Sequence, residues 1–137
     1  MSNTRVEDEA AIQAVLADSY QAWEAGDADG MVADYTADAT AIMTGSLRDS
    51  REMIRDSMAQ GFAGPLKGSS TYNKQLSIRF LGKDAAIVVS ESAILFPGET
   101  EITDDHRKVN ATWVFEKRDA RWLIAAYHNS PVLAPGQ

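Results

Sequence analysis

Gly64-Pro65-Leu66-Lys67-Gly68-Ser69-Ser70, followed by Thr71-Tyr72-Asn73-Lys74-Gln75-Leu76-Ser77-Ile78-Arg79-Phe80, is the stretch that decides the fold. Its glycines and proline break any regular element that precedes them. Beyond the break, Tyr72, Leu76, Ile78 and Phe80 alternate with Thr71, Gln75, Ser77 and Arg79. A period of two is that of a strand with one covered face. Upstream the period is 3.6. Ile12, Val15, Leu16, Ser19, Tyr20 and Trp23 make one helical stripe, and Thr4 and Glu7 are spaced as a capping box. Gly26 ends this helix, and Asp27 or Asp29 caps a short second one that turns Met31, Val32 and Tyr35 to the core. Thr40-Ala41-Ile42-Met43 reads as a brief extended piece before Gly45. Asp49 and Glu52 open a third helix with the stripe Ile54, Ser57, Met58, Gly61 and Phe62.

Downstream the alternation continues between turn signals. Gly82-Lys83-Asp84 leads into a strand from Ala85 to Phe96, and Pro97-Gly98-Glu99 turns again. A third strand is expected from Ile102 to Lys117. Arg118-Asp119-Ala120 turns into a fourth, Arg121 to Ser130, and Pro131 to Gln137 reads as a loosely held tail. Helices first and antiparallel strands after them predict an α+β fold. Long strands twist and curl. The expected architecture is three N-terminal helices packed on a strongly curved antiparallel sheet, forming a cone around an apolar pocket. The 137 residues suit one domain, 1–137.

Composition narrows the function. A formal charge of −7 repels phosphate backbones, so no nucleic-acid partner is expected. The chain has no cysteine, which rules out disulfides and thiolate metal sites and suits a reducing cytoplasm. Met1-Ser2-Asn3-Thr4-Arg5-Val6-Glu7 has no apolar signal-peptide region, and no apolar run reaches membrane-spanning length. A cytoplasmic protein without membrane contact is the expectation. Asp104-Asp105-His106-Arg107-Lys108 has metal-ligand residue types, but on a strand they would point to alternate faces. His128 is the only other histidine. No metal and no organic cofactor are therefore expected, and glycine-rich phosphate loops are absent.

The series Trp23…Gly26-Asp27…Tyr35…Asp38-Ala39-Thr40 and the ending Arg121-Trp122-Leu123-Ile124-Ala125-Ala126-Tyr127-His128-Asn129-Ser130 resemble the nuclear-transport-factor-2-like superfamily. That group includes SnoaL-like polyketide cyclases, ketosteroid isomerases and scytalone dehydratases. Within it the chain is most similar to the SgcJ/EcaC family, known from enediyne antibiotic biosynthesis. The resemblance runs from Val6 to Pro131. It implies a homodimeric pocket protein that binds a hydrophobic polyketide intermediate, with a polyketide synthase as a further partner. It also implies a cofactor-free cyclisation, dehydration or isomerisation. A non-catalytic module that holds an intermediate or docks on a synthase is the alternative, and a dimer with a vestigial cavity a third. Ser19, Thr112 and Met43 match the three catalytic positions of the isomerases. None of them can replace a carboxylate or phenol in proton transfer, so that chemistry is not expected.

The residues themselves offer three candidate groups. Glu91 interrupts the apolar phase Ile87, Val89, Ala93, Leu95. Facing a pocket it would be an acid or base in apolar surroundings; facing outward it would be a paired surface carboxylate. Tyr127 and Asn129 share a strand face with Ala125, and that face lines the cavity in relatives. They would orient a ligand carbonyl or hydroxyl, or else satisfy backbone groups at a sheet edge. His128 falls on the other face with Trp122, Ile124 and Ala126, where a buried structural imidazole is expected unless a bulge reverses the strand. Ser19, Trp23, Tyr35, Met43, Met58, Phe62 and Trp113 supply the expected pocket lining, otherwise ordinary core. Met58 also matches a ligand-touching position of the isomerases.

Overall fold

The structure, a computed structural model, describes residues 2–133. Helix α1 runs Ser2–Glu24 and buries Asp8, Ile12, Leu16 and Ser19. The helix begins at Ser2, ahead of the expected Thr4–Glu7 capping box, and the Thr4 side chain lies outside what the structure describes. Gly26 takes a left-handed φ of 68° and ends the turn. Helix α2, Ala28–Met31, is capped by Asp27, whose carboxylate accepts from the Gly30 amide at 2.9 Å. A side chain at 30 would meet that carboxylate, with its Cβ 2.4 Å from Asp27 Oδ2. Helix α3, Arg51–Ala63, is capped by Ser50 rather than by Asp49.

Tyr35 belongs to no helix. It opens strand β1, Tyr35–Met43, which is longer than the four-residue piece expected and is followed by a short β2, Ser46–Arg48. The remaining strands are β3 Ser70–Phe80, β4 Ala85–Leu95, β5 Val109–Arg118 and β6 Arg121–Pro131. Residues Asp105–Arg107 form one 3-10 turn before β5, not the first part of the strand. The single sheet has the order β2-β1-β6-β5-β4-β3. It is not wholly antiparallel, because β1 runs parallel to β6. It is also open, with β2 and β3 at its edges, rather than closed into a cone.

One face of this sheet meets the helices. Phe115, Ile124, Val88 and Ala86 are fully buried there, together with Trp113 and Trp122. Ile12, Ile54 and Met58 cover them from the helical side. Two bulges set which residues face inward. Leu76 has no register partner between Gln75 and Ser77 and stands half exposed. Ala125 has none either, since Phe115 pairs Ile124 and Val114 pairs Ala126. Across this extra residue the strand changes phase, so Trp122, Ile124, Tyr127 and Asn129 all turn to the inner face.

Candidate functional site

The inner face and the helices do not meet everywhere. They leave a cavity of about 410 Å³. α1 contributes Ser19, Tyr20 and Trp23 to its wall, and α3 contributes Ile54 and Met58. The helical spacing that made these residues one stripe is the reason they share the wall. The connector before β3 closes one side through Leu66. It is held by Ser69, whose hydroxyl accepts from Trp23 Nε1 at 2.9 Å and donates to the Leu66 carbonyl at 2.6 Å. Gly61 allows this: a Cβ there would stand 2.8 Å from Leu66 Cδ1.

The sheet contributes one row and its neighbours. Arg48, Ala41, Tyr127, Trp113 and Val88 are successive register partners across β2, β1, β6, β5 and β4. The first four of these line the cavity. The Tyr127 ring rests on Trp113 at 4.4 Å between centroids, and Tyr20 meets Trp113 edge-on at 6.3 Å. Asn129 Nδ2 donates to Tyr127 Oη at 2.7 Å. The phenol oxygen is thereby occupied as an acceptor, and its proton is left to donate elsewhere. Burial raises the pKa of Tyr20, Tyr35 and Tyr127 above the ordinary phenol value, so all three are neutral donors at physiological pH. The Trp113 indole N–H is buried without a partner among the described residues.

The expected lining residues Ser19, Trp23, Tyr35, Met43, Met58 and Trp113 reach the cavity wall, as do Tyr127 and Asn129. Phe62 does not. It packs behind Trp23, with the ring centroids 5.5 Å apart and nearly perpendicular. Thr112 lies on the outer face opposite His128, while its neighbour Trp113 faces in. His128 itself is exposed on that outer face, not buried. The expected apolar setting of Glu91 is also corrected. Both phases of β4 are apolar at their start, but Ala86, Val88, Ser90 and Ser92 form the buried one. Glu91 is on the other, where its carboxylate accepts from Tyr72 Oη at 3.2 Å and stands 3.6 Å from Lys108 Nζ.

Arg48 and Arg107, which no sequence pattern assigns to the pocket, also line the cavity. Arg107 is neutralised by Glu99, at 2.6 Å and 2.7 Å, and donates to the Ile94 carbonyl at 2.9 Å. The guanidinium in turn holds Glu99 down to about 2. Spacing alone could not place Arg48 in the wall, because the three residues Ser46–Arg48 are too few to show an alternating period. No Asp, Glu or His appears among the described lining residues. Asp104 to Lys108 do not form a metal site: Asp104 bonds His106, Lys108 bonds Asp105, and no group of three or more metal-ligating side chains occurs among the described residues. Nor is any described helix long and apolar enough to cross a membrane.

A sequence profile described as a SnoaL-like domain matches residues 12–135. No curated protein matches the chain significantly. Solved structures do. A domain of unknown function with a cystatin-like fold from Nostoc punctiforme is 27% identical with a TM-score of 0.83, over 94% of this chain and 80% of that one. An NTF-2-like protein of unknown function from Shewanella oneidensis is 22% identical with a TM-score of 0.76, over 90% and 98%. The hexachlorocyclohexane dehydrochlorinase LinA-type3 of Novosphingobium barchaimii is 15% identical with a TM-score of 0.79, over 100% and 97%. The last two likenesses are likenesses of fold.

Proposed function

This chain belongs to the SnoaL-like domain family, and we propose that it binds a hydrophobic, ring-bearing small molecule in the cavity between helices and sheet. The observation that carries this reading is the wall itself. A space of about 410 Å³ is lined by aromatic and methionine side chains, and the Tyr127–Asn129 pair has one phenol proton free to donate. That size and mixture suit a small organic ligand whose polar group is oriented by few donors. A fused-ring or polyunsaturated polyketide intermediate is the ligand class favoured by the SnoaL-like resemblance, and enediyne-type biosynthesis is the pathway favoured by the likeness to the SgcJ/EcaC family. Deleting the gene in its producer and identifying the metabolite that accumulates tests the pathway.

A holding role without proton transfer is favoured over cyclisation, dehydration or isomerisation by the lack of a carboxylate or imidazole among the described lining residues. The phenols keep their protons near neutrality and serve as donors. A second copy packed on the outer face of the sheet, and docking on a polyketide synthase, complete the proposal.

An anthraquinone such as anthraquinone-2-carboxamide is a suitable probe, with tryptophan quenching and thermal shift as readouts. The expected result is saturable binding at one equivalent per chain. Tyr127→Phe and Asn129→Ala should each weaken it several-fold, the effect of about 0.5–1.5 kcal/mol for one net hydrogen bond. Glu91→Gln and His128→Ala should leave it unchanged, because both residues face away from the cavity. Absence of saturable binding, or equal binding by Tyr127→Phe, would overturn the reading.

A further inference from the structure

We propose that the molecule held in the cavity is a carboxylate, and that Arg48 is the residue that pairs with its charge. This rests on the pocket reading above and adds the chemical class of the ligand.

The chain has 20 acidic residues, yet none is among the described residues of the cavity wall. Two arginines are. Arg107 has its charge satisfied by Glu99 and its remaining donors turned to a backbone carbonyl. Arg48 has no such partner among the described residues. Among the described residues its one hydrogen bond goes from Nη1 to the Met58 thioether sulfur at 3.4 Å. A thioether is a weak acceptor and carries no charge. A guanidinium has five donors in a planar fork that matches a carboxylate in two parallel bonds. A half-buried fork with one weak acceptor is therefore an incomplete site, and burial already pulls the Arg48 pKa down. An anion entering the cavity restores what the burial removed.

Register sets the distance at which this happens. Arg48 and Tyr127 are both partners of Ala41, on either side of it. Adjacent strands are ~4.8 Å apart, so the two stand roughly 10 Å apart at Cα with only a methyl group between them. An aromatic scaffold lying over Ala41 would place a carboxylate at Arg48 and a carbonyl or hydroxyl at Tyr127. A longer side chain at 41 would occupy that ground.

The test compares two probes that differ only in charge, anthraquinone-2-carboxylate and anthraquinone-2-carboxamide, by tryptophan quenching. It uses the wild type, Arg48→Met, Arg48→Lys and the exposed control Arg79→Met, each checked for an unchanged melting temperature. The wild type and the control should prefer the carboxylate by about tenfold, the scale of one charge-assisted pair. Arg48→Met should abolish that preference by weakening the carboxylate alone, and Arg48→Lys should keep part of it. Equal affinity of both probes for the wild type, or a preference that survives Arg48→Met, overturns the carboxylate inference and leaves the pocket standing. Failure of both probes to bind the wild type overturns the pocket reading and this inference with it. If Arg48→Met fails to fold, Arg48→Lys decides: an undiminished preference against the wild type counts against a bidentate pair.

Discussion

Asp8 shows what a single residue can hide. It occupies the apolar stripe of the first helix, four residues before Ile12, and is itself 7% exposed. Its carboxylate accepts from Trp122 Nε1 at 3.0 Å and from Lys117 Nζ at 3.3 Å. The indole bond, helped by the ammonium, holds its pKa below the usual carboxylate range against the opposing pull of burial. A depressed folded pKa gives stability that is present above the unfolded value of about 3.9 and is lost as pH falls through the folded one. Asp8→Ala should cost about 1–3 kcal/mol at pH 7, since it leaves a buried N–H unpaired. In thermal melts the gap between variant and wild type should narrow below about pH 4. A gap that stays constant from pH 7 to pH 3 would show that the charge contributes nothing. The sequence carried a signal for this residue, an acid at a core position of a helix, but its partners are 109 and 114 residues away. Site residues on the helices were legible because 3.6-residue spacing groups them directly. Tyr127 and Asn129 entered through family likeness, and Arg48 had no signal at all, because the fork it presents depends on which cross-strand row it joins.

At the scale of elements, the strands were legible as strands and much less so as faces. β3, β4 and β6 fall close to the alternating segments of the sequence. The parallel β1 was missed in length and direction, because Tyr35 reads equally as the last turn of a helix and the first residue of a strand. Glu91 was misplaced because Ile87 and Val89 are as apolar as Ala86 and Val88, so periodicity cannot choose between the two phases. In β6 the decisive residue is Ala125. Strict alternation would group Trp122 and Ile124 with His128; the extra residue groups them with Tyr127 and Asn129 instead. Deleting Ala125 removes the one position of β6 without a register partner and leaves a regular strand with the same faces. The deletion variant should still bind anthraquinone-2-carboxamide, and Tyr127→Phe should still weaken that binding several-fold. Retained folding with an indifferent Tyr127→Phe would show that the bulge does not set the face.

The whole molecule has a helix-covered face and a bare one. On the bare face of the sheet Ile87, Val89, Thr112, Val114 and Ala126 are only partly buried, and Ile42 is 42% exposed. These are the residues a proposed second copy would cover, and a contiguous patch of this kind is unusual on a lone chain in water. Light scattering at micromolar concentration should give twice the chain mass, and replacing Val89 and Val114 by lysine should return the monomer. A monomer mass for the unaltered protein would remove the dimer from the proposal. The six-stranded architecture itself was largely written in the order of periods, helical then alternating. Closure was not, because it depends on whether the two edge strands meet, and here β2 and β3 do not.

A wall with no acid among its described residues, inside a chain of net charge −7, bears on the timing of binding as well as its strength. A carboxylate guest approaches through a repelling field and reaches attraction only inside, at Arg48. Mobile ions screen the first over a Debye length of about 8 Å at physiological ionic strength, and act much less on a contact already shielded from water. Added salt should therefore speed the guest's arrival while changing its residence time little, the reverse of what an electrostatically steered site shows.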